Sequence, residues 1–241
     1  MKIIKTKNYE EMSRKAANIF FAQVVAKPDS VLGLATGSSV LGLYENLIKH
    51  YKNGDVDFSD IKTINLDEYA GLGKESDQSY RYYMDNNLFN HVNVKKENTN
   101  LPNGLAKDMK VECKRYNDII ENFGGADIQL LGLGLNGHIG FNEPSDVFPK
   151  ETHLVDLEES TIKANSRFFE NEKDVPRQAV TMGIQNIMQA KQIVLCVCGK
   201  QKAKILKAVL FGDVTPNVPG SILQLHNNLI VAADEDALSE I

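Results

Sequence analysis

The sequence predicts an α/β fold built on a mostly parallel sheet, from two features of its patterning. Short apolar runs alternate along the chain with stretches of helical periodicity, as repeated strand-helix units require. The run Ala126–Gly134 is almost entirely apolar, which fits a strand covered on both faces rather than one with a wet side.

The elements follow in order. Asn8, with Glu11 three residues on, has the pattern of a capping box opening a helix, and Met12, Ala16, Ile19 and Phe20 recur at helical spacing behind it. Ser30–Ala35 reads as a strand, Val40–Lys49 as an amphipathic helix and Ile61–Leu66 as a second strand. Tyr116, Ile119, Ile120 and Phe123 mark a later helix that Gly124-Gly125 ends. After Ala126–Gly134 come Gln178–Met182, Ile193–Cys198 and Leu229–Ala233 as further strands. Residues 145–177 are the least regular and most polar stretch, which reads either as a solvated insertion or as a mobile lid within residues 145–187. No repeat, low-complexity tract or Pro-rich linker divides the 241 residues, so a single catalytic domain over 1–241 is expected.

Composition narrows the function. A net charge of -5 argues against nucleic acid or an anionic membrane as partner, leaving a small molecule. The N-terminus lacks the apolar core of a secretory signal, and no run approaches the roughly 20 apolar residues that span a bilayer. With three cysteines and no glycosylation sequon, the chain reads as cytoplasmic. Cys196 and Cys198, two apart in a strand, lack the further ligands a metal needs and read as small core residues.

Chemistry concentrates at three strand ends, where open α/β sheets bind ligands. In Leu133–Pro144, the residues Asn136, His138, Asn142 and Glu143 stand among glycines directly after a strand. An imidazole exchanges protons near neutrality, and Glu143 can orient it. His50, His91, His153 and His226 have no comparable setting. Asp67, in Asn65-Leu66-Asp67-Glu68-Tyr69, ends the strand Ile61–Leu66 as a candidate general base; Glu68 points elsewhere if the backbone stays extended. The alternative for Asp67 is a helix-cap or turn aspartate. Thr36-Gly37-Ser38-Ser39 joins a strand to a helix, which suits either an anion held at the helix N-terminus or a simple Ser-capped turn. It has neither the lysine of a P-loop nor the three-glycine dinucleotide pattern. Arg167 and Lys202 are cations that an anion there can recruit, or solvated surface charges.

Taken together, these segments resemble the glucosamine-6-phosphate deaminase (glucosamine-6-phosphate isomerase) family. The resemblance is carried by Gly33–Ser39, Asn65–Tyr69, Gly137–Pro144, Ala164–Phe169 and Gly199–Lys202, five motifs in the family's order across nearly the whole chain. It implies a three-layer αβα, Rossmann-like fold with helices on both faces. It also implies conversion of glucosamine 6-phosphate and water to fructose 6-phosphate and ammonia in amino-sugar catabolism and N-acetylglucosamine utilisation, with no metal or organic cofactor. By motif match, Asp67 takes the C2 proton, His138 moves the proton that opens the sugar ring, and Glu143 and Asn136 support it. Thr36, Gly37, Ser38, Ser39, Arg167 and Lys202 hold the phosphate.

Two departures qualify that carry-over. Some members have aspartate where this chain has Asn136, and an amide orients without supplying charge. Members activated by N-acetylglucosamine 6-phosphate use an Arg and a Lys that fall at His153 and Val155 here, so no such activation is expected, and a monomer or small homo-oligomer is. The rivals are 6-phosphogluconolactonase, which shares a Gly-His loop but not the Phe141-Asn142-Glu143-Pro144 continuation, and a sugar-phosphate sensor, which would need a DNA-binding segment and could dispense with Asp67, His138 and Glu143.

Overall fold

In a computed structural model of the chain, which describes residues 1–166, 169 and 171–241, the apolar runs become strands of two sheets. In chain order the strands are β1 (Lys2–Thr6), β2 (Val31–Leu34), β3 (Lys62–Asn65), β4 (Asp67–Tyr69), β5 (Thr99–Asn100), β6 (Ile128–Leu131), β7 (His153–Asp156), β8 (Gln178–Thr181), β9 (Ile193–Val197) and β10 (Leu229–Asp234). The helices are α1 (Tyr9–Ala26), α2 (Leu41–Lys52), α3 (Tyr80–Asn87), α4 (Met109–Asn122), α5 (Glu159–Asn165), α6 (Ile184–Met188) and α7 (Ala203–Phe211). The large sheet has seven strands in the order β1-β10-β9-β6-β2-β3-β5, with every pairing parallel. Helices lie over both faces, giving three αβα layers.

Every residue of β2, β6 and β9 is buried, which is why their sequences are apolar runs without alternation. From β2 the chain moves to β3 and β5 on one side; from β6 it moves to β9 and β10 on the other. The neighbours β2 and β6 therefore form the topological switch point, where the loops leaving their C-terminal ends diverge and open a crevice.

Local sequence signals work as expected, with one change of partner. Asn8 caps α1 by accepting from the Glu11 N–H at 2.9 Å, but the Glu11 carboxylate reaches back to the N–H of Lys7, at 2.8 Å, rather than to that of Asn8. Gly124 and Gly125 follow α4 with positive φ.

Other expectations need correction. Gln178–Met182 forms β8, which does not join the parallel sheet. It pairs antiparallel with β4 and β7 in a separate three-stranded sheet, β4-β8-β7. The strand within Ala126–Gly134 is only Ile128–Leu131, because the chain departs at Gly132 to build a loop. Residues 145–177 are more regular than their polarity suggested: they hold β7 and α5. The short edge strands β1 and β5 were not anticipated. They exist through pairing with β10 and β3 rather than through their own patterning.

The two sheets meet where the chain passes from β3 to β4. The Leu66 N–H bonds to Leu34 O in the large sheet at 3.0 Å, and Leu66 O accepts from the Met182 N–H, just after β8, at 2.7 Å. Asp67, the next residue, thus starts at a fixed junction.

Candidate active site

The loop after β6 folds its polar residues onto one another. The Asn136 amide donates to Glu143 Oε2 at 2.7 Å, and His138 Nδ1 lies 3.2 Å from the same oxygen. A carboxylate acceptor fixes the imidazole proton on Nδ1, leaving Nε2, which has no hydrogen bond among the described residues, as the nitrogen free to exchange a proton. Asn136 does not touch the imidazole: its Oδ1 accepts from the His138 backbone N–H at 3.2 Å, so it orients the loop and the Glu143 carboxylate. An amide suits that place because an aspartate there would set two carboxylates against each other. Burial raises the Glu143 pKa, but hydrogen bonds from His138, Thr161 and Asn136 and the His138 charge outweigh it, and the net shift is downward.

The imidazole fits because residue 134 has no side chain. A Cβ built on Gly134 would come 2.5 Å from three atoms of the His138 ring, closer than any real contact, so the ring rests flat on the peptide.

Asp67 faces this loop from β4. It is 6 % exposed, and its carboxyl is pushed up to about 8, by burial first and by the adjacent Glu68 second. No hydrogen bond to its carboxylate is found among the described residues, which leaves the group free to take a proton. Because β4 is extended, its neighbour turns away as expected: Glu68 accepts from the backbone N–H of Tyr69 on β4 and from those of Tyr80 and Arg81 at the start of α3.

The turn Thr36–Ser39 lies at the end of β2. The simple Ser-capped reading fails, since the N-cap of α2 is Val40 and no side chain caps it. Instead three tyrosine hydroxyls hold the carbonyl oxygens: Tyr44 donates to Ala35 O at 2.5 Å, Tyr83 to Gly37 O at 2.8 Å and Tyr9 to Ser38 O at 2.9 Å. In a trans peptide the N–H points opposite to its C=O, so each such bond leaves an N–H directed away from the tyrosine. Gly37, with φ +104°, supplies backbone geometry that other residues resist. The turn is therefore poor in free acceptors and rich in donors, as an anion site should be.

From the end of β9 comes Lys202, whose Nζ donates to Leu133 O at 2.5 Å, tying its turn to the loop after β6. That turn is anchored by Asp234, which accepts from the Gly199 N–H at 3.0 Å.

All of these surround one cavity of about 870 Å³, at the switch point of the large sheet. Thr36, Gly37, Ser38, Ser39, Asp67, Asn136, His138 and Lys202 line it; Glu143 stands behind His138, 7 % exposed. Arg167 lies outside the described residues. The structure adds residues that sequence reasoning missed. Tyr69, Tyr80, Phe141 and Phe169 form an aromatic wall, with Tyr69 and Tyr80 centroids 4.8 Å apart. From α5, Thr161 approaches Glu143, and Asn165 donates to the Tyr69 hydroxyl at 2.9 Å. The cluster Tyr80-Arg81-Tyr82-Tyr83 was the one signal available for the wall, since aromatics so dense in a polar helix seldom lack a purpose.

Comparison with known proteins identifies the family and the fold. The family model described as glucosamine-6-phosphate isomerases/6-phosphogluconolactonase matches residues 6–231. A glucosamine-6-phosphate deaminase of Lachnoclostridium phytofermentans is 58% identical over 231 residues, 96% of this chain and 98% of the relative. One of Clostridium botulinum (strain Langeland) is 53% identical over 241 residues, 100% of this chain and 99% of the relative. A solved structure described as a monomeric glucosamine-6-phosphate deaminase superposes with a TM-score of 0.98 at 44% identity, covering 100% of both chains. The 6-phosphogluconolactonase of Leishmania guyanensis shares the fold, with a TM-score of 0.75 at 19% identity over 98% of this chain and 97% of its own. The chain belongs to the glucosamine-6-phosphate deaminase (glucosamine-6-phosphate isomerase) family.

Proposed function

We propose that this enzyme converts glucosamine 6-phosphate and water to fructose 6-phosphate and ammonia. The observation that carries the reading is that Asp67 and His138, the latter backed by Glu143, line one cavity with the donor-rich turn Thr36–Ser39 and Lys202. The turn and Lys202, with Arg167, bind the phosphate and so position C1 and C2 remote from it. His138, through Nε2, moves the proton between the C1 hydroxyl and the ring oxygen, opening the pyranose; Glu143 steadies the charge that forms on the imidazole. Asp67 then removes the C2 proton, C1 is reprotonated, and water hydrolyses the resulting C2 imine to ketose and ammonia. Incubation with glucosamine 6-phosphate, following both products, should yield them in equal amounts; ammonia release without fructose 6-phosphate would refute the reading. Asp67→Asn should bind substrate and lose at least about a hundredfold in kcat.

The reading extends to regulation and assembly. The positions that carry cations in activated members are His153 and Val155, both on β7, and the His153 Nδ1 is engaged with the Glu151 carbonyl at 2.9 Å. We infer an enzyme that N-acetylglucosamine 6-phosphate does not activate, with hyperbolic saturation whether or not it is present. A monomer is proposed in line with the monomeric solved relative, and a cytoplasmic setting with the unpaired thiols of Cys113, Cys196 and Cys198. No helix among the described residues is long and apolar enough to cross a membrane. The chain works on this view as one catalytic domain, with a lid within residues 145–187. Support for the lid comes from α5, whose Ser160, Thr161 and Asn165 reach the cavity, and from a separate apolar cluster of Tyr69, Phe141, Leu157, Ile162, Val175 and Ala179 beneath it.

A further inference from the structure

Glu68 is a buried carboxylate that the reaction above leaves without a task. It is 3 % exposed and does not line the cavity. Its Oε1 accepts from the Tyr69 and Tyr80 N–H groups, both at 2.9 Å, and its Oε2 from the Arg81 N–H at 2.8 Å. Capping alone does not explain it, since Ser79 already caps α3 by accepting from the Tyr82 N–H at 3.1 Å. Nor does an ion pair: the Arg81 guanidinium is turned to Asp85 and Thr99. A carboxylate taken from water without a cationic side chain is costly, so its charge calls for a reason.

What Glu68 joins is informative. One end of the link is β4, which carries Asp67. The other is the first turn of α3, whose Tyr83 holds the Gly37 carbonyl at 2.8 Å and whose Tyr80 hydroxyl lies beside Thr36. Glu68 therefore ties the strand of the carboxylate base to the helix turn that contacts the anion turn, in addition to the bond from Leu66 to Leu34 in the large sheet.

We propose that Glu68 is a positioning residue for Asp67: it locks β4 to the start of α3, fixing the base relative to the phosphate turn, and sets a negative charge beside it. The inference rests on the reading of Asp67 as the C2 base. Asp67 is faced by Glu68 and Tyr69 from its own strand, Tyr80 from α3 and Tyr116 from α4. Of the described groups only Glu68 joins burial in shifting it, and no cation does. Burial pushes Glu68 itself up to about 7, against the pull of its three N–H donors, so the neighbours titrate as a coupled pair.

Glu68→Gln keeps the shape and one acceptor oxygen while removing the charge. The dependence of kcat/KM on pH for glucosamine 6-phosphate should show its acid limb about one pH unit lower than in wild type. The plateau in kcat should fall about tenfold, as a weaker base demands, with KM within about threefold. A purely structural role would lower activity without moving the limb, and an unmoved limb overturns the proposal. If the variant does not fold, carboxyl ¹³C NMR on the intact enzyme decides: Asp67 should titrate in the upper of two steps, after Glu68 has lost its proton, and an Asp67 that ionises before Glu68 overturns the coupling. The two readings fail separately. An active Asp67→Asn refutes Asp67 as base, whereas an inactive Asp67→Asn beside an unmoved limb in Glu68→Gln refutes only the role of Glu68.

Discussion

Asp67 shows what a buried carboxyl with raised proton affinity costs the fold. Its carboxyl is held at about 8 by burial and by Glu68, whereas in the unfolded chain it titrates near 4. The native state thus binds the proton more tightly, so stability is fully present below about pH 4 and is lost as pH rises through about 8. Replacing Asp67 by Asn should therefore raise Tm by roughly 10 °C or more at pH 8, while melting near pH 4 shows no difference, even as activity is lost. Gly134 makes a complementary point about the imidazole. Gly134→Ala would drive a methyl group to within 2.5 Å of the His138 ring, and the displaced ring should slow turnover of the cyclic sugar about a hundredfold, with Tm little changed. Asp67, His138 and Glu143 were legible in the sequence because each is a proton-transfer residue just beyond an apolar run. The tyrosines at residues 9, 44 and 83 were not, because nothing local says that three hydroxyls from α1, α2 and α3 converge on the carbonyls of one turn.

The opposite edge of the sheet is fixed by Asp127, just before β6. Its carboxylate accepts from the Val31 N–H at 2.8 Å, from Lys191 at 2.7 Å and from Lys27 at 2.5 Å, binding the starts of β2, β6 and β9 together. Burial opposes ionisation, but the two lysines and the Val31 N–H prevail and lower the carboxyl to about 2. The clamp is present above about pH 4 and fades as pH falls toward about 2, and it contributes on the order of 2 kcal/mol. Asp127→Asn should lower Tm by about 4–8 °C at pH 7, with the gap to wild type closing below pH 3 and kcat unchanged, because the site lies at the other ends of the strands. The buried strands β2, β9 and β10 were readable from apolar runs alone. The small sheet was not. β7 is polar at both ends and exposed at alternate positions, and β8 has the apolar character of a parallel strand although it pairs antiparallel. Which sheet a strand joins is decided by partners distant in sequence, which a local pattern does not carry.

The site as assembled draws on loops from β2, β6 and β9 and on β4, all at the C-terminal edge of the large sheet, with α5 and the small sheet roofing it. Hydrogen exchange with and without a bound hexose 6-phosphate should show slowed exchange over residues 157–165 and little change in β2, β6 and β9 if that roof is the lid; equal protection throughout would exclude it. The residues that line the cavity were thus largely visible in the sequence, while the roof emerged only when β4 was seen to leave one sheet for another. That crossing has a mechanical consequence. The chain passes between the sheets at Leu66 and again at Met182, and those two residues are hydrogen-bonded to each other at 2.7 Å. If the small sheet opens as a lid, these two residues should act as the pin of a door: each atom would be displaced in proportion to its distance from the pin, so α5 should travel far while Asp67, one residue away, keeps its place as sugar enters and leaves.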